Sequence, residues 1–441
     1  MASPPLRNRS AKLVCLPLLL ALAVAATLLY AAGLHATQPQ VDLRPPLHPA
    51  MAAAVRDGQT TLALRLAKHL APASVDAAKG NVAFSPASIH AALALVAAGA
   101  RGATLDQLLA FLGAPSEAGL AEFGRLVVHR VLGDQAASGG PRVLFSGGIW
   151  VDASRGGLKT AFRDVALEAY KSVARSVSFA KPKEVAEAIN SWAKKATNNL
   201  IDSIISAGDI TADIELVLAN AVYFKAKWRT PFKLGQTGPG TFHRLDGSRV
   251  DAQFMSRTMD DVYYASSVDG FKVLKLPYEH GHADDTQYSM YIFLPDERQG
   301  IADMVDAITA GPEHLYSVLP KTANATVTVT LPKFKISYDR DLGSDLPQLG
   351  LSLPFSRESA DLRGIFEEKP TFLSNVLHKA VVKVDEDGTE AAAITMVLLA
   401  GSAWKPEPPV EFVADHPFTF FIMEEQSGVI VFAGHVLDPT I

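Results

Sequence analysis

Val384-Asp-Glu-Asp-Gly-Thr-Glu-Ala-Ala-Ala393 runs an acidic turn directly into side chains small enough to slip between strands. By local propensity the segment is a helix: Thr389 stands as an N-cap ahead of Glu390, three alanines and an apolar run to Gly401. Read with a period of two it is a strand, with Thr389, Ala391, Ala393 and Thr395 on one face and Glu390, Ala392, Ile394 and Met396 on the other. Glu390 prefers water, so the first face turns inward, and every residue on it is small and uncharged. Gly388 supplies a pivot at the point of entry. No proline occurs between Glu386 and Lys405 to remove a backbone donor from a new central strand. A segment of this composition is competent to enter a sheet.

Outward from this segment, helix and strand signals are interleaved without an internal repeat. Ser85-Pro86 has the cap-then-proline grammar of a helix start, and Thr104-Leu-Asp-Gln107 reads as a capping box leading into Leu108-Leu-Ala-Phe-Leu112. Gln287-Tyr-Ser-Met-Tyr-Ile-Phe-Leu294, Thr326-Val-Thr-Val-Thr330 and Val429-Ile-Val-Phe432 are rich in β-branched and aromatic residues and read as strands. The order lacks the strict alternation of a parallel α/β sheet, so the expected class is α+β with several mixed sheets.

Composition narrows the function. With 441 residues, 48% of them hydrophobic, the chain can bury a large core. A formal charge of −5 and a sequence pI near 6.2 argue against a general nucleic-acid partner, which needs a clustered cationic surface. Cys15 is the only cysteine, so no intramolecular disulfide can form and stability rests on packing. The sequence contains no G-x-S-x-G elbow, Walker loop or H-E-x-x-H helix, and His280-Gly-His282 beside Asp284 and Asp285 reads as a polar turn. An enzyme is not expected, and neither is a metal or other cofactor.

Five runs in order carry a resemblance to a known family: Asn81-Val-Ala-Phe-Ser-Pro-Ala-Ser-Ile89, Asn220-Ala-Val-Tyr-Phe-Lys-Ala-Lys-Trp228, Leu331-Pro-Lys-Phe-Lys-Ile336, the segment after Val384, and Phe412-Val-Ala-Asp-His-Pro-Phe418. The chain resembles the serpins, and most of all the plant serpins, from about His48 to Ile441. Thr419 departs from the pattern, which has an apolar residue there, and a local packing change is expected.

The resemblance implies a serpin fold with three β-sheets, eight or nine helices and an exposed reactive-centre loop. It also implies a monomeric protease inhibitor. On that resemblance a serine protease, or alternatively a cysteine protease, is expected to attack the loop as bait and form an acyl-enzyme, after which the severed loop inserts into the main sheet and distorts the enzyme before deacylation. A non-inhibitory serpin acting as a binding or storage protein is the alternative. By resemblance, Glu386, Gly388, Thr389, Glu390, Ala391, Ala392 and Ala393 form the hinge. Ser85, Ser88, Asn220 and His378 lie near the centre of the main sheet and control its opening, Trp228 and Lys333 lie near its top, and Glu386 pairs with Lys333. Counting Glu386 as the first of 17 hinge and loop residues puts the reactive bond between Ser402 and Ala403. Small residues there suit the shallow primary pocket of an elastase-like or subtilisin-like target. A slip in register would offer Leu399 or Trp404 to chymotrypsin-like enzymes instead, while Lys405 is shielded from trypsin by Pro406.

Ahead of the body, residues 1–12 carry Arg7, Arg9 and Lys12, and 13–34 form an uncharged span of the length a bilayer-crossing helix needs. The hydropathy predicts a signal-anchor with a cytosolic basic N-terminus, or a cleaved signal peptide, followed by a Pro-rich linker over 35–50 and a serpin domain over 51–441. The expected location is the secretory pathway: membrane-tethered and lumenal or extracellular, or secreted after cleavage. On that reading Asn324-Ala-Thr326 is a possible glycosylation site. Plant serpins usually lack such a segment, so hydropathy and family resemblance point in different directions here.

Overall fold

The structure is a computed structural model and describes residues 49–72, 80–266, 269–282, 286–366, 371–386 and 408–441. Residues 1–48, with the expected anchor, therefore lie outside the described residues, as do Gly388 through Ala393 and Ser402-Ala403.

Nine α-helices occur among the described residues: α1 (Pro49–Leu70), α2 (Pro86–Gly99), α3 (Gly102–Phe111), α4 (Glu117–Leu126), α5 (Thr160–Tyr170), α6 (Pro182–Ala196), α7 (Ile301–Ile308), α8 (Pro312–Val318) and α9 (Asp345–Gln348). The strands are β1 (Val82–Phe84), β2 (Arg142–Asp152), β3 (Ser172–Val177), β4 (Leu216–Lys225), β5 (Thr237–His243), β6 (Arg249–Ser266) and β7 (Phe271–Pro277). They continue with β8 (Tyr288–Pro295), β9 (Ala323–Pro332), β10 (Phe334–Asp341), β11 (Asn375–Val384), β12 (Val410–Val413), β13 (Phe418–Glu424) and β14 (Ile430–Val436).

The main sheet has the order β10-β11-β4-β2-β3. The other strands form one hydrogen-bonded network, β1-β14-β13-β8-β7-β6-β9-β12, with β5 also on β6. Two of the three expected sheets are thus joined through β6. Its first part pairs with β5, its middle with β9 and its end with β7, and its register shifts on β9 between Met259 and Val262. Asp261 in that interval has φ +53°, a left-handed conformation that Asp tolerates, and the bulge turns the strand from one sheet into the next.

β4 explains why the main sheet is central. Its sequence, Leu-Val-Leu-Ala-Asn-Ala-Val-Tyr-Phe-Lys, is buried at every position from Leu216 to Phe224, as a strand covered on both faces must be. Val217, Ala219, Ala221 and Tyr223 pack with Trp150, Ile189 and Trp192 under α6. Leu216, Leu218, Val222 and Phe224 face the large core shared with α2 and the second network. Helix α2 is buried on almost every side, consistent with its near absence of polar residues. Asn220, by the alternation of the strand, falls on the α2 side.

Two local expectations resolve differently. Ser85 caps α2 as its sequence suggests, accepting the Ser88 backbone N–H at 3.2 Å. Thr104 does not cap α3: the helix starts at Gly102, and the Thr104 hydroxyl accepts the Asp361 N–H at 2.9 Å while Gln107 Oε1 takes those of Ser352 and Leu353. The capping box fails because both side chains satisfy a distant loop. At the other departure, buried Thr419 bonds His435 Nδ1 at 2.9 Å, and His435 Nε2 donates to Ala67 O at 2.9 Å. A hydrogen bond occupies the place where the resemblance leads one to expect apolar packing.

Candidate functional site: the seam between β4 and β11

β4 and β11 run parallel and are paired directly, from Val217 with Asn375 to Phe224 with Val382. β11 then leads to Asp385 and Glu386 and on toward the small-residue segment. The parallel pair therefore forms a seam with a mouth beside Glu386.

In the middle of the seam, Asn220 stands opposite His378, both on the α2 side. Asn220 Oδ1 lies 2.6 Å from His378 Nδ1 and 2.8 Å from the Ser88 hydroxyl. The Ser85 backbone N–H donates to His378 Nε2 at 3.1 Å. A ring nitrogen that accepts must be unprotonated, so His378 is the neutral tautomer with its proton on Nδ1. Burial pushes its pKa down to about 3, in agreement with that assignment. One atom is left over: the Asn220 Nδ2 group is buried with no hydrogen-bond partner among the described residues.

At the mouth, Trp228 follows β4 and stacks on Tyr278, with ring centroids 4.4 Å apart and planes 12° from parallel. Its indole N–H donates to Asp385 O at 3.0 Å. Lys333 Nζ reaches Glu386 Oε2 at 2.7 Å, its own side chain 37% exposed and that of Glu386 only 6%. Burial of Glu386 favours the neutral acid, but the Lys333 ammonium, the residue's own backbone and the Thr237 side chain outweigh it and hold the carboxyl below its ordinary value. Lys333 is in turn placed by its backbone N–H, which donates to Gln253 O at 2.8 Å.

Ser85, Ser88, Asn220 and His378 are thus brought into one network, and Trp228, Lys333 and Glu386 into a second place above it. Tyr278 was missed by the sequence reading, because nothing in local spacing links it to a tryptophan fifty residues earlier. The arrangement holds two strands together with side-chain bonds and presents no nucleophile activated by a base, so it suits a gate more than a reaction centre.

A family model described as serpin (serine protease inhibitor) matches residues 57–439. Serpin-Z2A of Oryza sativa subsp. japonica is 45% identical over 419 residues, covering 87% of this chain and 97% of the relative. Serpin-ZXA of the same plant is 46% identical over 389 residues, with 86% and 96% covered. The solved structure of Arabidopsis AtSerpin1 in its native stressed conformation superposes with a TM-score of 0.80 at 38% identity, covering 88% of this chain and 99% of that one.

These matches correct the expected location. The chain's relatives are plant serpin-Z proteins, and this conflicts with the secretory or membrane-tethered placement expected from the hydropathy of 13–34. Among the described residues no helix is long and apolar enough to cross a membrane. Apolar length alone specifies only what could span, and it does not encode where a chain is sent. The secretory and membrane-tethered placement is withdrawn, and with it the condition under which the Asn324 sequon would be used. The binding or storage alternative is likewise not the activity that these relatives favour. With the family match running through nearly all of the folded body, the chain belongs to the serpin family, and its activity is protease inhibition, not catalysis.

Proposed function

We propose that this serpin traps an elastase-like or subtilisin-like serine protease through cleavage at Ser402-Ala403, followed by insertion of the segment from Thr389 onward between β4 and β11. The observation that carries the reading is the parallel seam itself. A segment folding back from the top of β11 runs antiparallel to both neighbours, so one parallel ladder is exchanged for two antiparallel ones, the more stable kind per residue. Thr389, Ala391, Ala393 and Thr395 on the inward face leave no charge to bury.

Gly388, Thr389, Glu390, Ala391, Ala392 and Ala393 act as the moving hinge, with Glu386 as its fixed end. Ser85, Ser88, Asn220 and His378 act as the central lock that must part, and Trp228 and Lys333 act at the mouth. Before cleavage the chain is held kinetically away from its most stable arrangement.

Incubation with an elastase-like protease is expected to yield an SDS-stable adduct, a released fragment beginning at Ala403, and a cleaved form with a higher Tm. A panel of such proteases that nicks the loop without adduct or Tm rise would overturn the proposal. Thr389→Arg, which places a cation on the inward face, is expected to convert the inhibitor into a substrate cleaved at the same bond.

A further inference from the structure

The seam has a foot as well as a mouth, and a buried carboxylate ties it. Glu215 lies just before β4, with its side chain 4% exposed. Its Oε1 receives Arg155 Nη2 at 2.5 Å, from the turn after β2, and Arg357 Nη1 at 3.1 Å, from the loop after α9. Its Oε2 accepts the Thr371 hydroxyl at 2.9 Å. The Glu215 backbone N–H donates to Ser374 Oγ at 3.0 Å, and the Ser374 N–H donates to Leu216 O at 2.9 Å. Thr371 and Ser374 belong to the chain about to become β11. The knot therefore joins the feet of the two strands whose separation the proposed inhibitory step requires.

Length connects the knot to that step. β4 and β11 share eight paired positions, Val217 with Asn375 through Phe224 with Val382. The segment from Thr389 to Ser402 has 14 residues. Even with a few residues spent on the turn at the top, a strand of that length overruns the eight pairs and passes between Glu215 and Ser374.

We propose that the Glu215 knot is the lower latch of the main sheet, a positioning device that opens only when the last part of the loop arrives. It thereby adds a late barrier to insertion and biases the contest between trapping and release of the acyl-enzyme. The chemistry fits a latch: a nearly buried carboxylate with two guanidinium partners and a hydroxyl makes charge-assisted bonds, stronger than the backbone ladder above it. This inference rests on insertion between β4 and β11 and concerns its final stage.

The test uses two synthetic peptides annealed to the intact full-length protein, Thr389–Ala400 and the shorter Thr389–Met396, which fits within the eight pairs. Annealing is followed by native gel and Trp fluorescence in the parent, in Arg357→Met and in Thr371→Val; Arg155 stays in place so that Glu215 keeps a cation. The expected result is that each variant accelerates the longer peptide about fivefold and leaves the shorter one unchanged. Thr371→Ser, which restores the hydroxyl, returns the longer peptide to the parental rate. The variants should also consume fewer inhibitor molecules per protease trapped. Equal acceleration of both peptides indicates general loosening and overturns the latch, as does acceleration of neither. Failure of both peptides to anneal in the parent overturns insertion itself, a result distinct from the other two.

Discussion

In the middle of the seam, Ser85, Ser88, Asn220 and His378 are neutral, sealed from water and bonded to one another; at its mouth, Lys333 and Glu386 hold each other by opposite charge at the edge of solvent. The two places resist opening by different physics. A buried neutral network is insensitive to salt, and each bond broken in it exposes an unsatisfied group to an apolar interior. An ion pair whose cation reaches solvent while its carboxylate is buried is screened by salt only in part, and its net contribution to stability is modest. The centre is thus suited to setting the height of the barrier and the mouth to setting when the hinge is freed.

Acid should separate the two most strongly. Burial lowers the pKa of His378 to about 3 and those of His90 and His435 to about 4, below the ordinary 6.5 that these residues regain on unfolding. Each is neutral in the fold and charged in the unfolded chain below pH 6.5, so stability is full above that pH. Below it, each histidine costs up to about 1.4 kcal/mol per pH unit until its folded pKa is reached. Glu386 behaves oppositely in origin: its depressed pKa supports the fold above the ordinary carboxyl range and is lost only as pH falls below 4.5. Urea unfolding is therefore expected to weaken by several kcal/mol between pH 7 and pH 5 while the mouth stays intact. A flat profile over that range would break the comparison.

Asn220→Ala comes next in size. It removes the acceptor shared by Ser88 and His378 and should cost about 2–3 kcal/mol in urea unfolding at pH 7, with no dependence on salt. Trp228→Phe keeps an aromatic ring over Tyr278 but loses the bond to Asp385 O, and is expected to cost about 1 kcal/mol and to hasten loop insertion after cleavage. Lys333→Met should change stability least, by about 0.5–1 kcal/mol, with the difference from the parent shrinking at 1 M salt. A salt-independent loss larger than that of Asn220→Ala would reverse the assignment of roles.

Much of this was legible in the residues, and the rest was hidden for definite reasons. Ser85-Pro86 announced a helix start because its signal is local, and the strands at Tyr288–Pro295 and Ile430–Val436 followed from β-branched and aromatic runs. Asn220 and its partners came from family resemblance alone, since the partners lie 132 and 158 residues away and no local pattern joins them. Glu215 gave no sign at all: its arginines are 60 and 142 residues distant, and no spacing rule joins them. Thr104 and Gln107 imitated a cap while serving a loop some 250 residues on. Hydropathy misjudged the location because it reads polarity and length, and neither encodes a destination.

β12, the strand that comes next in sequence after the loop, sits at the rim of its sheet and among the described residues pairs only with β9, over four residues, Val410–Val413. The bait is therefore strung between unequal anchorages, a long double-sided ladder at one end and a short one-sided zipper at the other. Under any pull along the loop the zipper is the weaker joint, so the uncut chain would yield by peeling at Val410 well before β11 let go.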